Sequence, residues 1–144
     1  MSRHEMTIQS EDDIYFALYY VRVLMNQLSF SAIEQQKVLV SVAELTRNLL
    51  DHANGIGTFS CEITDQGIRF MVIDNGPGIP DLNEVLNGKK TPSSRGLGLG
   101  LSGAKRLMDE LHIETSREGT KIVGIQRKKK KRMISLYSAS TNAE

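Results

Sequence analysis

Glu44 and Asn48 stand four residues apart in Glu44-Leu45-Thr46-Arg47-Asn48, and the flanking apolar residues Val38, Val42, Leu45 and Leu49 recur at helical spacing. Residues four apart share one face of a helix, so a carboxylate and a carboxamide project side by side while Leu45 and Leu49 turn to the core. Such a pair can position water and offer oxygen ligands to Mg²⁺, which takes few protein oxygens and keeps several waters. Asp51 and His52 lie on the next turn near the same face. Taken alone, the pattern describes an ordinary exposed polar helix face better than it describes a site.

A second carboxylate, Asp74, follows the apolar run Phe70-Met71-Val72-Ile73 and so sits where a buried strand emerges. It can accept a hydrogen bond from an exocyclic amine such as that of adenine. The turn after it, Asn75-Gly76-Pro77-Gly78-Ile79, bends the chain sharply, with glycines that permit close approach of a ligand. Further on, Gly96-Leu97-Gly98-Leu99-Gly100-Leu101 opens a helical pattern. Uncovered backbone N–H groups at a helix start, together with the positive end of the helix dipole, favour phosphate. Arg95 stands beside them, positioned to meet a terminal phosphate.

Gly98 to Gly103 fits the dinucleotide fingerprint G-x-G-x-x-G, but a polar loop precedes it and no parallel βαβ unit surrounds it. No G-x-x-x-x-G-K-[ST] loop occurs in the chain. A nucleotide site built from a helix face, a strand exit and a glycine-rich helix entrance therefore belongs to another fold.

The elements that must position these groups can be read in order. Ser10 to Asp13 is a capping box before Ile14, Leu18, Val21, Met25 and Leu28, and Ser31 to Glu34 opens a second helix that ends near Asn54-Gly55. Thr58 to Thr64 and Ile68 to Ile73 read as strands joined through Asp65-Gln66-Gly67. Pro80 to Glu84 starts a short helix, Gly88 to Arg95 is polar without a core pattern, and Leu99 to Leu111 is helical. His112 to Ser116 and Lys121 to Gln126 form a last hairpin. The sum is an α+β sandwich, helices on one face of a mixed, mostly antiparallel sheet.

With 144 residues, 40% of them hydrophobic, the chain suits one domain with its own core. It has no apolar stretch of membrane-span length and no secretory h-region. Its single cysteine, Cys61, falls in an alternating strand and reads as buried apolar filler. These features predict a cytoplasmic protein with no membrane association. Six of the 18 Lys and Arg form one run, Arg127 to Arg132, against 17 Asp and Glu overall, so the body is mildly acidic and the end basic. That division predicts a domain over residues 1–126 and a basic, disordered tail over 127–144. The run lacks interleaved aromatics and reads as a solvated end rather than a nucleic-acid surface.

The three segments resemble the N, G1 and G2 boxes of the GHKL superfamily, the ATP-binding fold of gyrase, Hsp90, histidine kinases and MutL, over nearly the whole chain from Ser10 to Gln126. The resemblance implies a Bergerat-type fold that binds ATP and Mg²⁺, with Asn48 holding the metal and Glu44 as catalytic base. It implies Asp74 reading the adenine amine, Gly76 and Gly78 shaping that pocket, and Thr120 supporting it from behind. Gly96, Leu97, Gly98, Leu99 and Gly100 would embrace the phosphates under a lid from Gly88 to Arg95, with Arg95 adding positive charge during transfer.

A chain of this length has no room for the transducer domains of gyrase or Hsp90, and His4 lacks the helical setting of a phosphoacceptor. Ser41 to Asn48 and Gly100 to Glu110 look most like the RsbT branch of small partner-switching kinases. That branch implies Ser/Thr phosphorylation of a STAS-domain antagonist or scaffold, and a downstream activator such as a phosphatase or a sigma factor. A nucleotide-gated, anti-sigma-like binding protein uses the same pocket and is the alternative. Tyr15, Phe16, Tyr19 and Tyr20 on the first helix offer a face to a partner or to a second copy in a homodimer, or divide between core and surface.

Overall fold

The structure, a computed structural model, describes residues 3–52, 56–89 and 100–128. Its elements are β1 (Arg3–Ile8), α1 (Glu11–Gln27), α2 (Ala32–His52), β2 (Gly57–Ile63), β3 (Gly67–Asp74), α3 (Leu82–Leu86), α4 (Gly100–Leu107), β4 (Glu110–Ser116) and β5 (Gly119–Arg127). The two long helices begin where the sequence places capping boxes. Asp13 accepts hydrogen bonds from the backbone N–H groups of Gln9 (2.8 Å) and Ser10 (3.2 Å). At α2, Glu34 accepts from Ser31 N–H (3.0 Å) while the Ser31 hydroxyl accepts from Glu34 N–H (3.1 Å). Donors left over at each helix start are thereby satisfied.

The five strands form one sheet in the order β1-β2-β3-β5-β4, every adjacent pair antiparallel. The sheet is thus antiparallel throughout the described residues rather than mixed. Strand periodicity decides which face meets the helices. Ile68, Phe70 and Val72 of β3, Phe59 and Cys61 of β2 and Ile122 of β5 are buried beneath them. Val21 and Met25 of α1, and Val38, Val42, Leu45 and Leu49 of α2, press down from above. A fully buried side chain of this size contributes about 1.5–3 kcal/mol, so the shared layer dominates the stability.

Three boundaries differ from the sequence reading. β1 was not anticipated: its outward residues are Arg3, Glu5 and Thr7, and only its pairing with β2 makes it a strand. The helix expected to run from Leu99 to Leu111 ends at Leu107, and β4 begins at Glu110 rather than His112. The chain is turned there by Asp109, whose N–H donates to Gln126 Oε1 (3.1 Å) and whose carboxylate accepts from Arg127 N–H (2.8 Å). Lastly, Arg127, the first residue of the basic run, closes β5 opposite Gly67.

Candidate functional site

The register of α2 turns Glu44 and Asn48 to one half-buried face while Leu45 and Leu49 are 1% and 2% exposed. Gly57 sets how closely α2 lies on the sheet. A Cβ on Gly57 would stand 2.3 Å from Leu49 Cδ1 and 2.6 Å from the Ile73 carbonyl oxygen. Only a bare backbone lets Leu49 settle there, and this brings the Asn48 turn down over the end of the sheet. Arg47, on the outer side, pairs with Glu11 at 2.9 Å. The hydrogen bond with Glu11 raises its pKa above the ordinary guanidinium value, and it tethers α2 to the start of α1.

At the same end of the sheet, Gly57, Asp74 and Thr120 lie abreast on β2, β3 and β5. The Asp74 carboxylate accepts a hydrogen bond from Gly76 N–H through Oδ1 at 2.8 Å, which fixes its rotamer and begins the turn. Gly78 carries φ +84°, and a Cβ on it would lie 2.1 Å from the Ser116 carbonyl oxygen, so glycine is required twice over. Beyond it Ile79 N–H donates to Thr115 Oγ1 at 2.9 Å, and the Thr115 and Thr120 hydroxyls are 2.8 Å apart. The turn is therefore pinned across to β4, and Thr120 is held beside Asp74 on the neighbouring strand.

The glycine-entered helix closes the arrangement. The first residue of α4, Gly100, faces α2: a Cβ there would lie 3.8 Å from Asn48 Nδ2. Leu101, Ala104 and Met108 bury behind it. Glu44, Asn48, Asp74, Gly76, Gly78, Gly100 and Thr120 fall within the described residues. Arg95, Gly96, Leu97, Gly98 and Leu99 lie outside them, as do the residues after Lys89 expected to form the lid, the helix end expected near Asn54-Gly55, and the chain beyond Lys128.

The donors at this end are a carboxylate and a carboxamide on α2 and a second carboxylate on β3. Among the described residues no group of three or more His, Cys, Asp or Glu gathers to hold a metal by itself. Hard oxygen donors in small number fit Mg²⁺, which completes its shell with water and phosphate oxygens. A cleft of about 440 Å³ opens beside the Asp74 turn, lined in part by Pro77, Ile79, Leu82, Thr115 and Arg117.

Two residues in this framework escape motif reading. Thr115 ties the turn to Thr120, and Gly119, at φ +147°, leaves room for the Asp74 carbonyl, 2.2 Å from where its Cβ would be. Thr115 could have been found from the hairpin register, since a two-residue turn at Arg117-Glu118 sets it opposite Thr120. Cys61 lies in the core as its strand position predicts, and burial pushes its thiol pKa up to about 12.

Helices on one face of an antiparallel sheet, an acid–amide helix face, a strand-exit aspartate and a glycine at the next helix start define an ATPase domain of the GHKL kind. The family model for the histidine kinase-like ATPase domain matches residues 12–125. The serine/threonine-protein kinase RsbT of Bacillus subtilis is 36% identical over 124 residues, covering 83% of this chain and 92% of that protein. The anti-sigma F factor of Clostridium novyi is 32% identical over 116 residues, covering 75% and 81%. A solved structure of the RsbU and RsbW domains of Rv1364c from Mycobacterium tuberculosis superposes with TM-score 0.63 at 15% identity, a likeness of fold. That match covers 88% of this chain and 32% of the other. The chain belongs to the histidine kinase-like ATPase family, within the branch that contains RsbT-type kinases and anti-sigma F factors. Among the described residues no helix is long and apolar enough to cross a membrane.

Proposed function

We propose that this chain is a cytoplasmic, ATP-dependent serine/threonine protein kinase in a partner-switching module, whose acceptor is a Ser or Thr hydroxyl on a STAS-domain protein. The observation that carries the reading is the meeting of Asn48 with Gly100, because it joins the acid–amide face of α2 to the glycine entrance of α4. Asp74, oriented by Gly76 N–H, keeps its second carboxylate oxygen for the adenine amine, and Thr120 supports that pocket from below. Gly76 and Gly78 shape the turn around the base. Gly96, Leu97, Gly98, Leu99 and Gly100 offer backbone N–H groups to the phosphates.

Glu44 accepts the proton of the attacking hydroxyl, and Arg95 places positive charge beside the transferring group. Phosphoryl transfer spreads charge over the phosphate oxygens, so positioning and electrostatics do most of the catalysis. Mg²⁺, when bound through Asn48, neutralises part of that charge. The kinase domain extends through β5. Downstream, release from the STAS partner frees the kinase for an activator such as a phosphatase, or for a sigma factor.

The likeness to anti-sigma F factors supports a second reading, a nucleotide-gated binding protein with incidental catalysis. Glu44 separates the two, since binding alone needs no base. Incubating the protein with Mg·ATP and STAS-domain proteins of the same genome should put phosphate on a partner Ser or Thr. Glu44→Gln should lower that rate by about 10²–10⁴-fold while nucleotide affinity stays within threefold or so. Transfer undiminished in Glu44→Gln removes the base assignment. Nucleotide binding with no transfer to any STAS candidate favours the switch.

A further inference from the structure

Five cations stand in succession from Lys128 to Arg132, and four apolar side chains follow closely, Met133, Ile134, Leu136 and Tyr137. The kinase reading uses none of them. Elsewhere the balance is reversed: the 17 Asp and Glu of the chain outnumber the 12 Lys and Arg left outside the run from Arg127 to Arg132. A charge so concentrated at one place serves contact with something of opposite sign.

The fold fixes where this segment leaves it. Lys128 N–H donates to the Gln66 carbonyl at 2.8 Å, so the chain departs beside the β2–β3 turn. At that end of the sheet Arg127 lies opposite Gly67, whereas Asp74 and Thr120 lie opposite each other at the far end. At about 3.4 Å per residue, the length of β3 separates the two ends by roughly 24 Å. The acids beside the exit are engaged within the fold. Arg69 holds Glu62 at 3.2 Å, Arg127 pairs with Glu110, and Asp109 accepts the Arg127 N–H at 2.8 Å. Among the described residues there, Asp65 of the turn keeps a carboxylate without a partner, one charge beside five. The body therefore leaves the run unneutralised.

A surface that takes both halves of the segment must be anionic and must also accept apolar side chains. A phospholipid headgroup layer does both, attracting clusters of about four to eight Lys and Arg and admitting apolar residues to the acyl boundary. A nucleic-acid duplex takes the charges alone. Its phosphates offer nothing to Met133, Ile134 and Leu136, and no aromatics interleave the cations to stack on bases. We infer that the segment from Lys128 to Tyr137 is a peripheral docking site for an anionic phospholipid surface. The apolar cluster is far too short to span a bilayer and suffices for contact with its surface. Because the exit and Asp74 lie at opposite ends of the sheet, nucleotide binds while the segment is docked.

The test is co-sedimentation of the full chain with vesicles at low salt, where surface charge is least screened. Vesicles of phosphatidylglycerol and phosphatidylcholine should bring the protein down, and vesicles of phosphatidylcholine alone should not. One Lys or Arg near an anionic surface strengthens binding about fivefold, so Lys129→Gln with Lys130→Gln should weaken it about thirtyfold. Ile134→Ser with Leu136→Ser, which leaves every charge in place, should weaken it at least about fivefold. ATP affinity on the vesicles should stay within about twofold of that in solution. No binding to the anionic vesicles, or equal binding to the neutral ones, overturns the proposal. Duplex DNA that strips the protein from the vesicles, with the serine pair binding them as wild type does, overturns it in favour of nucleic acid. ATP affinity lost on the vesicles overturns the placing of the nucleotide site away from the bilayer.

Discussion

The Asn48 carboxamide nitrogen lies 3.8 Å from where a Cβ on Gly100 would begin, an ordinary van der Waals separation. That space decides how Gly100 tolerates substitution. A methyl group fits it, and alanine is the better helix former, by about 1 kcal/mol in a helix interior and less at a first residue such as this, so Gly100→Ala should keep or slightly raise thermal stability. Gly100→Leu instead fills the space between α2 and α4. It should weaken nucleotide binding at least about tenfold, or ~1.4 kcal/mol, with the fold retained. Calorimetric titration of both variants with Mg·ATP checks this, and a Leu variant that binds as wild type would move the phosphates elsewhere.

Asp74 uses one carboxylate oxygen on Gly76 N–H. In Asp74→Asn the amide oxygen can keep that bond, so the turn should persist and the far-UV spectrum should not change. The remaining position becomes an N–H group, which repels an exocyclic amine instead of accepting from it. ATP affinity should fall by about ten- to a hundredfold, the range of a hydrogen bond to a charged group. An unchanged dissociation constant would take Asp74 out of the base pocket.

The Thr115 hydroxyl serves two neighbours, accepting from Ile79 N–H and meeting the hydroxyl of the buried Thr120. Thr115→Val conserves volume but leaves both groups without that partner, at a cost of roughly 1–3 kcal/mol. Urea unfolding should report that loss, and nucleotide affinity should fall with it because the turn after Asp74 is no longer pinned. Thr115→Ser, which keeps the hydroxyl, should recover most of both. Equal stability of the Val and Ser variants would show that the hydroxyl is not what holds the turn.

These residues explain how far the sequence could be read. Periodicity alone oriented α2, since four apolar positions at helical spacing leave one place for Glu44 and Asn48. Asp74 and its turn were legible because an apolar strand ends abruptly in glycine and proline. What escaped depends on partners far along the chain. β1 has only half a hydrophobic pattern because it is an edge strand, and nothing local distinguishes it from a polar leader. The true end of α4 is set by Asp109 binding Gln126 and Arg127, although Leu111 continues the helical spacing. Thr115 carries no motif, and its role arises from register.

Cys61 gives a prediction whose sign follows from its environment. The thiol is 1% exposed, and burial first, then the neighbouring Glu62 charge, push its pKa up to about 12. An unfolded chain releases that proton near pH ~8.5. Between those values the folded state holds a proton that the unfolded state has lost, so stability must fall as pH rises. The slope for one such group is ~1.4 kcal/mol per pH unit, and the contribution is fully present below pH ~8.5. Cys61→Ala removes the titrating group, and other groups titrating in that window cancel between the two proteins. The stability advantage of wild type over Cys61→Ala, from urea unfolding at stepped pH, should hold constant up to about pH 8 and then shrink steadily toward pH 10.5 or so. The same burial should leave the thiol unreactive to disulfide reagents until the protein unfolds. A pH-independent difference, or rapid labelling of the native protein, would mean that the thiol is open to solvent.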